Sequence, residues 1–400
     1  MRRVLVITNR YPCDADDPAS PFVPHLVGAL SGCGVNVDVL TPRYTHRPAC
    51  AEPEFIHRFE TGASSPVGSW NLASPATWIR LRKFVRAGHD LGRQLCGSRR
   101  YDHILALWAL PSGEFAYRLS REFGIPYSVW CLGSDIYAWA RRPLIKSQIA
   151  KVLLAADHVF GDGDDLCERV KQRLGIGCRF LPSYRPLEGD LPESAPKATQ
   201  APRFLYLGRV HSAKGIGELL DGFAIVSRKL PAATLRIVGD GPELARLRQR
   251  VVEYGLGHAV SITGPVGRAE ITAAYRDCDF VVIPTKSDSL PLVFSEAVQA
   301  RRPVIGTDVG DLGAFIRRFH AGIVCGAAEA VLLAAAMQQM ADQPVFSNEG
   351  RDRLLKLLDP SAAAMTFCRG AFGAQFASVD SASSRDHTTR ATNASVAAHP

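Results

Sequence analysis

The chain has 400 residues, of which 46% are hydrophobic and 22% charged, and its formal net charge is +8. That balance excludes a disordered or fibrous chain, and the length exceeds one comfortable core, so two domains are expected. No run approaches the ~18–20 apolar residues of a helical membrane span, while the positive charge suits an anionic partner such as a nucleotide, a phospholipid surface or nucleic acid.

The start, Met1-Arg-Arg, leads into an apolar run that ends at Ile7. It is too short for the core of a secretory signal and predicts a buried first strand over 4–8. The ten cysteines are scattered, with no CxxC pair and no zinc-like Cys/His spacing. They are expected as reduced thiols of a cytoplasmic protein. Short β-rich runs at 4–8, 35–40, 103–108, 127–131 and 158–160 alternate with helical patterns. The rhythm returns at 204–207, 234–238, 259–263, 280–284 and 303–306. Apolar runs alternating with helices indicate parallel strands buried on both faces. The expected fold class is therefore α/β, with two facing doubly wound Rossmann-like domains.

Between the halves, residues 185–202 contain four prolines and few large apolar side chains, which predicts an exposed connection. The division follows as an amino-terminal domain over 1–185, a linker over 186–202 and a carboxyl-terminal domain over 203–358. A final helix over 359–376 and a disordered tail over 377–400 complete it. Near residue 78, Trp-Ile-Arg-Leu-Arg-Lys-Phe-Val-Arg interleaves apolar and basic residues at helical spacing, and continues to Arg93, Arg99 and Arg100. Such a helix either packs its apolar stripe on the sheet or rests on an anionic membrane surface. No recognition module for nucleic acid accompanies the basic residues.

Two segments carry chemistry. Gly208-Arg-Val-His-Ser-Ala-Lys-Gly215 follows a strand and opens a helical pattern. Gly208 and Gly215 let backbone approach a ligand, while Arg209 offers a planar fork and Lys214 a mobile charge, a set suited to a diphosphate. A solvated strand–helix turn is the alternative for this segment alone. Farther on, Asp288-Ser-Leu-Pro-Leu-Val-Phe-Ser-Glu296 leaves a strand and opens a helix near Pro291. The free N–H groups of Leu292 and Val293 can receive a phosphate, and Glu296 can accept ribose hydroxyls. The alternative there is a capping aspartate and a surface glutamate. Gly239, in Val-Gly-Asp-Gly-Pro, lacks the third glycine of a dinucleotide fingerprint and suits a tight loop beside a nucleotide. The backbone around Gly264 and Val266 could face a base; a purely structural turn fits either segment equally well.

In this order the motifs resemble the family-four retaining glycosyltransferases of the GT-B fold, over about residues 1–375 and most clearly over 204–310. The resemblance implies a nucleotide-sugar donor held by the second domain and an acceptor held by the first. It assigns Arg209 and Lys214 to the diphosphate, Glu296 to the ribose and Asp288 to the transferred sugar. Gly133-Ser134-Asp135 matches the acceptor-side segment. Three departures stand out: Asp288 replaces the usual Glu, Leu132 the usual His, and Ala19-Ser-Pro-Phe22 the usual glycine pair. Asp162-Gly-Asp-Asp165 has a metal-binding spacing, yet reads as a helix start, so metal-independent chemistry is expected. No cofactor is implied.

The expected activity is retaining transfer of a hexosyl or related sugar from a nucleotide-diphosphate sugar to a polysaccharide or lipid-linked glycan. Its expected place is the cytoplasm, with peripheral contact at the inner face of the plasma membrane as the further expectation. Catalytic expectations fall on Asp288, Arg209 and Lys214. A non-catalytic nucleotide-sugar-binding protein and a GT-B sugar-nucleotide epimerase are the alternatives.

Overall fold

A computed structural model describes residues 1–14, 17, 20–44, 52–63, 65, 67, 70, 74–374 and 376. Ala19, Cys50 and the tail expected over 377–400 lie outside the described residues.

The first lobe is built on seven described strands: β1 (Arg3–Ile7), β2 (Asn36–Arg43), β3 (Ile56–Glu60), β4 (His103–Leu107), β5 (Tyr127–Cys131), β6 (His158–Gly161) and β7 (Arg179–Phe180). Their spatial order is 3-2-1-4-5-6-7, and all neighbours run parallel. Helices α1 (Phe22–Gly32), α2 (Pro75–Ser98), α3 (Ser112–Phe123), α4 (Ser134–Tyr137), α5 (Pro143–Leu154) and α6 (Asp164–Leu174) return the chain between strands. Val4, Leu5, Val6 and Ile7 are at most 1% exposed, which is why the first strand carries no polar alternation.

The second lobe repeats the plan with β8 (Arg203–Leu207), β9 (Thr234–Val238), β10 (Val260–Ile262), β11 (Phe280–Ile283), β12 (Val304–Gly306) and β13 (Gly322–Val324), in the order 10-9-8-11-12-13. Its helices are α7 (Ile216–Lys229), α8 (Leu244–Glu253), α9 (Arg268–Asp277), α10 (Leu292–Gln299), α11 (Leu312–Phe319), α12 (Ala330–Asp342) and α13 (Asn348–Leu357). Strand order reverses between β1 and β4, and again between β8 and β11. Ligand crevices of open α/β sheets form at the carboxyl ends of strands where the order reverses.

The last helix, α14 (Pro360–Phe372), starts where the Asp359 carboxylate accepts from the Ser361 and Ala362 amides, at 3.3 and 3.2 Å. It buries Ala363, Ala364, Phe367 and Cys368 in the same cluster as Val23, Leu26 and Leu30 of α1. The chain thus ends its described helices on the first lobe.

Four features differ from the sequence expectations. Strands β3, β7 and β13, absent from the expected set, are only partly buried, and β3 and β7 carry polar residues in place of an apolar run. Pro291 is the cap of α10, with ψ at 133°, and the helix proper begins at Leu292. The connection after 185 is not wholly exposed: Arg185 is buried, and the Leu187 amide donates to Gln299 Oε1 of α10 at 2.9 Å. Helix α2 spans 24 residues and buries Thr77, Phe84, Gly88, Gly92 and Leu95, so its small-residue face packs inward. Trp78 and Ile79 remain exposed at its start. Among the described residues no helix is long and apolar enough to cross a membrane.

Candidate active site

A cavity of about 300 Å³ lies between the lobes, fed by loops at the carboxyl ends of both sheets. From the second lobe come Gly208, Arg209, Lys214, Asp288, Leu292 and Val293; from the first come Phe22, Trp108, Leu132, Asp162 and Ser183.

The cationic end is set by backbone. After β8 the chain turns at Gly208, whose φ of 151° and open side face suit glycine alone. A short 3₁₀ turn, Ser212–Lys214, is capped by His211 Nδ1, which accepts from the Ala213 amide at 3.1 Å. The Lys286 amide donates to Ala213 O at 2.9 Å and ties that turn to the loop after β11. A Cβ at Gly215 would run into the Pro284 carbonyl, so this close approach requires glycine. The result brings Lys214 Nζ to 2.5 Å from Asp288 Oδ2, with both side chains about two-thirds buried or more, at 32% and 27% exposed. Two residues separated by 74 positions are thereby made one ion pair.

Tyr206 Oη donates to the Arg209 carbonyl at 2.7 Å and fixes the backbone beneath Arg209. Burial and the nearby Asp288 push the Tyr206 phenol well above its ordinary range, so it stays a donor. Helix α10 opens beside this pair. Phe294 N bonds back to Pro291 O at 2.9 Å, and Leu292 and Val293 occupy the first two helical positions, whose amides lack intrahelical partners. Arg209, Lys214 and those amides lie together on one cavity wall, a set whose positive charge and free N–H groups suit an anion.

The first-lobe wall is built differently. Trp108 follows β4 with φ at 71°, a rare conformation for a bulky residue, and its amide donates to the Trp130 carbonyl at 2.9 Å. Asp162 follows β6 and is 7% exposed. Its Oδ1 has no hydrogen-bond partner among the described residues. Burial raises its pKa well above the carboxylate range; the Ser289 hydroxyl offsets this, and the charges of Asp288, Asp135 and Asp311 add to it.

The structure gathers Gly208, Arg209, Lys214, Asp288, Leu292 and Val293 into one cavity wall, and leaves other expected residues out of it. Gly239, with φ at 144°, lies behind Gly208: a Cβ there would strike the Gly208 carbonyl, so its part is to let two loops nest. Val266 packs on the second-lobe core. Ser134 is exposed, while Asp135 is buried and accepts from the Ala109 and Ile136 amides at 2.9 and 3.1 Å. Asp135 therefore joins α4 to the loop after β4, with its carboxylate turned into the fold. Glu296 is turned inward at 1% exposure, accepting from Tyr275 Oη at 2.8 Å and pairing with Arg185 at 2.5 Å. In this arrangement its carboxylate does not reach the cavity.

Sequence reasoning missed Trp108, Ser183 and the cavity position of Asp162. Asp164 and Asp165 do sit in the first turn of α6, as the helix-start reading requires, but Asp162 precedes the helix and belongs to the wall. A glycine on either side of that acid, Gly161 and Gly163, was the available signal. Among the described residues no three His, Cys, Asp or Glu side chains are grouped so as to hold a metal ion.

Two doubly wound lobes facing a shared cleft have the GT-B architecture, and the comparisons that follow mark the chain as a glycosyltransferase that takes its sugar from a nucleotide sugar. Residues 189–355 match the family described as glycosyl transferases group 1. Across 338 residues the chain is 26% identical to the alpha-D-kanosaminyltransferase of Streptomyces kanamyceticus, covering 78% of this chain and 83% of that protein. Identity is also 26% over 380 residues to the putative teichuronic acid biosynthesis glycosyltransferase TuaC of Bacillus subtilis, covering 88% and 92%. Among solved structures, the sucrose-phosphate synthase of Thermosynechococcus elongatus superposes with a TM-score of 0.74 at 22% identity, covering 92% of this chain and 98% of that one.

Proposed function

We propose that this glycosyltransferase transfers a hexosyl or related sugar with retention of configuration, without a metal ion, to a glycan or lipid-linked glycan. The observation that carries the reading is the convergence of Arg209, Lys214, Asp288 and the first amides of α10 on one inter-lobe cavity. In the free protein Asp288 neutralises Lys214. An entering diphosphate competes for that ammonium and releases the Asp288 carboxylate toward the sugar. Arg209, Lys214 and the helix amides then stabilise the charge that grows on the departing diphosphate, work that a metal performs in other sites.

Asp288 is the acid nearest the cations on the cavity wall, and its pairing with Lys214 suits a sugar-binding group more than a free nucleophile. Same-face substitution follows, in which a leaving phosphate oxygen takes the proton of the acceptor hydroxyl. We assign the ribose to the α10 end near Glu296, whose carboxylate must first leave Arg185 to take part. Relatives named for an aminosugar transfer and for teichuronic acid biosynthesis support a cell-envelope or secondary glycan as the product class.

The test is to supply UDP-, GDP-, ADP- and dTDP-hexoses with glycan acceptors in excess EDTA, and to read diphosphate release and the product anomer by NMR. Release with an inverted anomer, or release that magnesium alone restores, contradicts the proposal.

A further inference from the structure

The unused group of this cleft is the Asp162 carboxyl. It comes from the first lobe, at the end of β6, and faces the second-lobe segment that carries Asp288 and Ser289. It is 7% exposed, and its Oδ1 has no hydrogen-bond partner among the described residues. Ser289 Oγ, also buried, is the hydroxyl that faces this carboxyl and lies against Gly163, the next residue. A buried polar atom left without a hydrogen bond costs stability of the free protein, so its position calls for a ligand. Trp108 and Phe22 supply apolar faces on the same wall, and a pyranose needs both a flat apolar contact and hydroxyl partners.

Resting on the donor-binding reading above, we propose that Asp162 binds the transferred sugar of the donor, Oδ1 hydrogen-bonding one of its hydroxyls across the cleft from Asp288. The wall is then divided by chemistry. Arg209, Lys214 and the α10 amides hold the diphosphate from one lobe, and Asp162 meets the sugar from the other. Sugar recognition thereby depends on the lobes being together, whereas diphosphate recognition does not. Burial and the neighbouring acids push the pKa of this carboxyl upward, which favours the form that can donate to a sugar oxygen.

The test compares wild type, Asp162→Asn and Asp162→Ala by calorimetry, using UDP, GDP, ADP and dTDP and then the glucose conjugate of the base that binds. Both variants are expected to bind the diphosphate within about twofold of wild type. The conjugate should weaken roughly three- to tenfold in Asp162→Ala, the worth of one hydrogen bond, with partial recovery in Asp162→Asn. Melting adds a readout that a structural role would move the other way: Asp162→Asn should melt at or above the wild-type temperature at pH 7.5, because it removes a buried acid without a partner. An unchanged conjugate affinity, an equal loss for diphosphate and conjugate, or a markedly lower melting temperature overturns the proposal. A loss confined to acceptor transfer, with conjugate binding intact, moves Asp162 to the acceptor and also overturns it. If no diphosphate binds wild type, the donor reading itself fails.

Discussion

The two walls of the cleft are made from the same strand plan and do different work. The second-lobe wall is built from backbone: glycines at 215 and 239 permit contacts that any side chain would block, Gly208 takes a φ of 151°, and a helix opens its amides on the same wall as two cations. The first-lobe wall is built from side chains at the ends of separate strands: Trp108 after β4, Leu132 after β5 and Asp162 after β6. Each wall also contains a buried acid. Glu296 is turned away from the cavity, paired with Arg185 and bonded by Tyr275, whereas Asp162 lines the cavity and its Oδ1 has no hydrogen-bond partner among the described residues.

The largest effect is expected at the cationic wall. Lys214→Ala should lower turnover roughly 10²–10³-fold, the scale of losing one preorganised group that stabilises developing charge. The side chain is partly exposed, so the melting temperature should change little. Diphosphate release measured under saturating donor checks this, and near-normal turnover would remove Lys214 from the mechanism.

Next in size is the contrast between the two acids. Glu296→Ala leaves the buried Arg185 guanidinium without its counter-charge, and should cost about 3–5 kcal/mol in urea unfolding. Should Glu296→Ala unfold at the wild-type midpoint, the architectural reading of this pair is wrong and its ribose role gains weight.

The smallest effect is at the lobe contact. The Asp311 carboxylate accepts from the Asp165 amide at the start of α6, at 3.0 and 3.1 Å. Burial pushes its pKa up to about 6, against an ordinary 3.8. The folded protein therefore holds a proton there that the unfolded chain has lost, so this group's contribution to stability falls as pH rises from about 4 to about 6. Asp311→Asn should flatten the melting-temperature profile in that window. A profile identical to wild type would show that the contact is not coupled to folding.

Much of the second lobe was legible because phosphate recognition obeys backbone rules. Gly208, Arg209, Lys214 and Gly215 keep a fixed spacing since the loop that places them is short and stiff. The alternation of buried strands and helices was legible for the same kind of reason, as burial on both faces removes polar residues from a strand. The first-lobe wall was not legible. Nothing in the spacing of Trp108 and Asp162 says that they meet, because their approach is fixed by the pairing of β4, β5 and β6. The inward turn of Glu296 was hidden for a related reason. Its distance from Asp288 fits a helix, but which face of α10 meets Tyr275 and Arg185 depends on the return of the linker. Edge strands such as β3 escaped notice because partial exposure leaves them polar.

The return of α14 to the first lobe has a mechanical consequence. Because the polypeptide crosses from one lobe to the other twice, once near 185 and again near 359, the halves share two covalent tethers. Two tethers limit how far the lobes can part without straining the backbone, a limit that a cut at either crossing would relax.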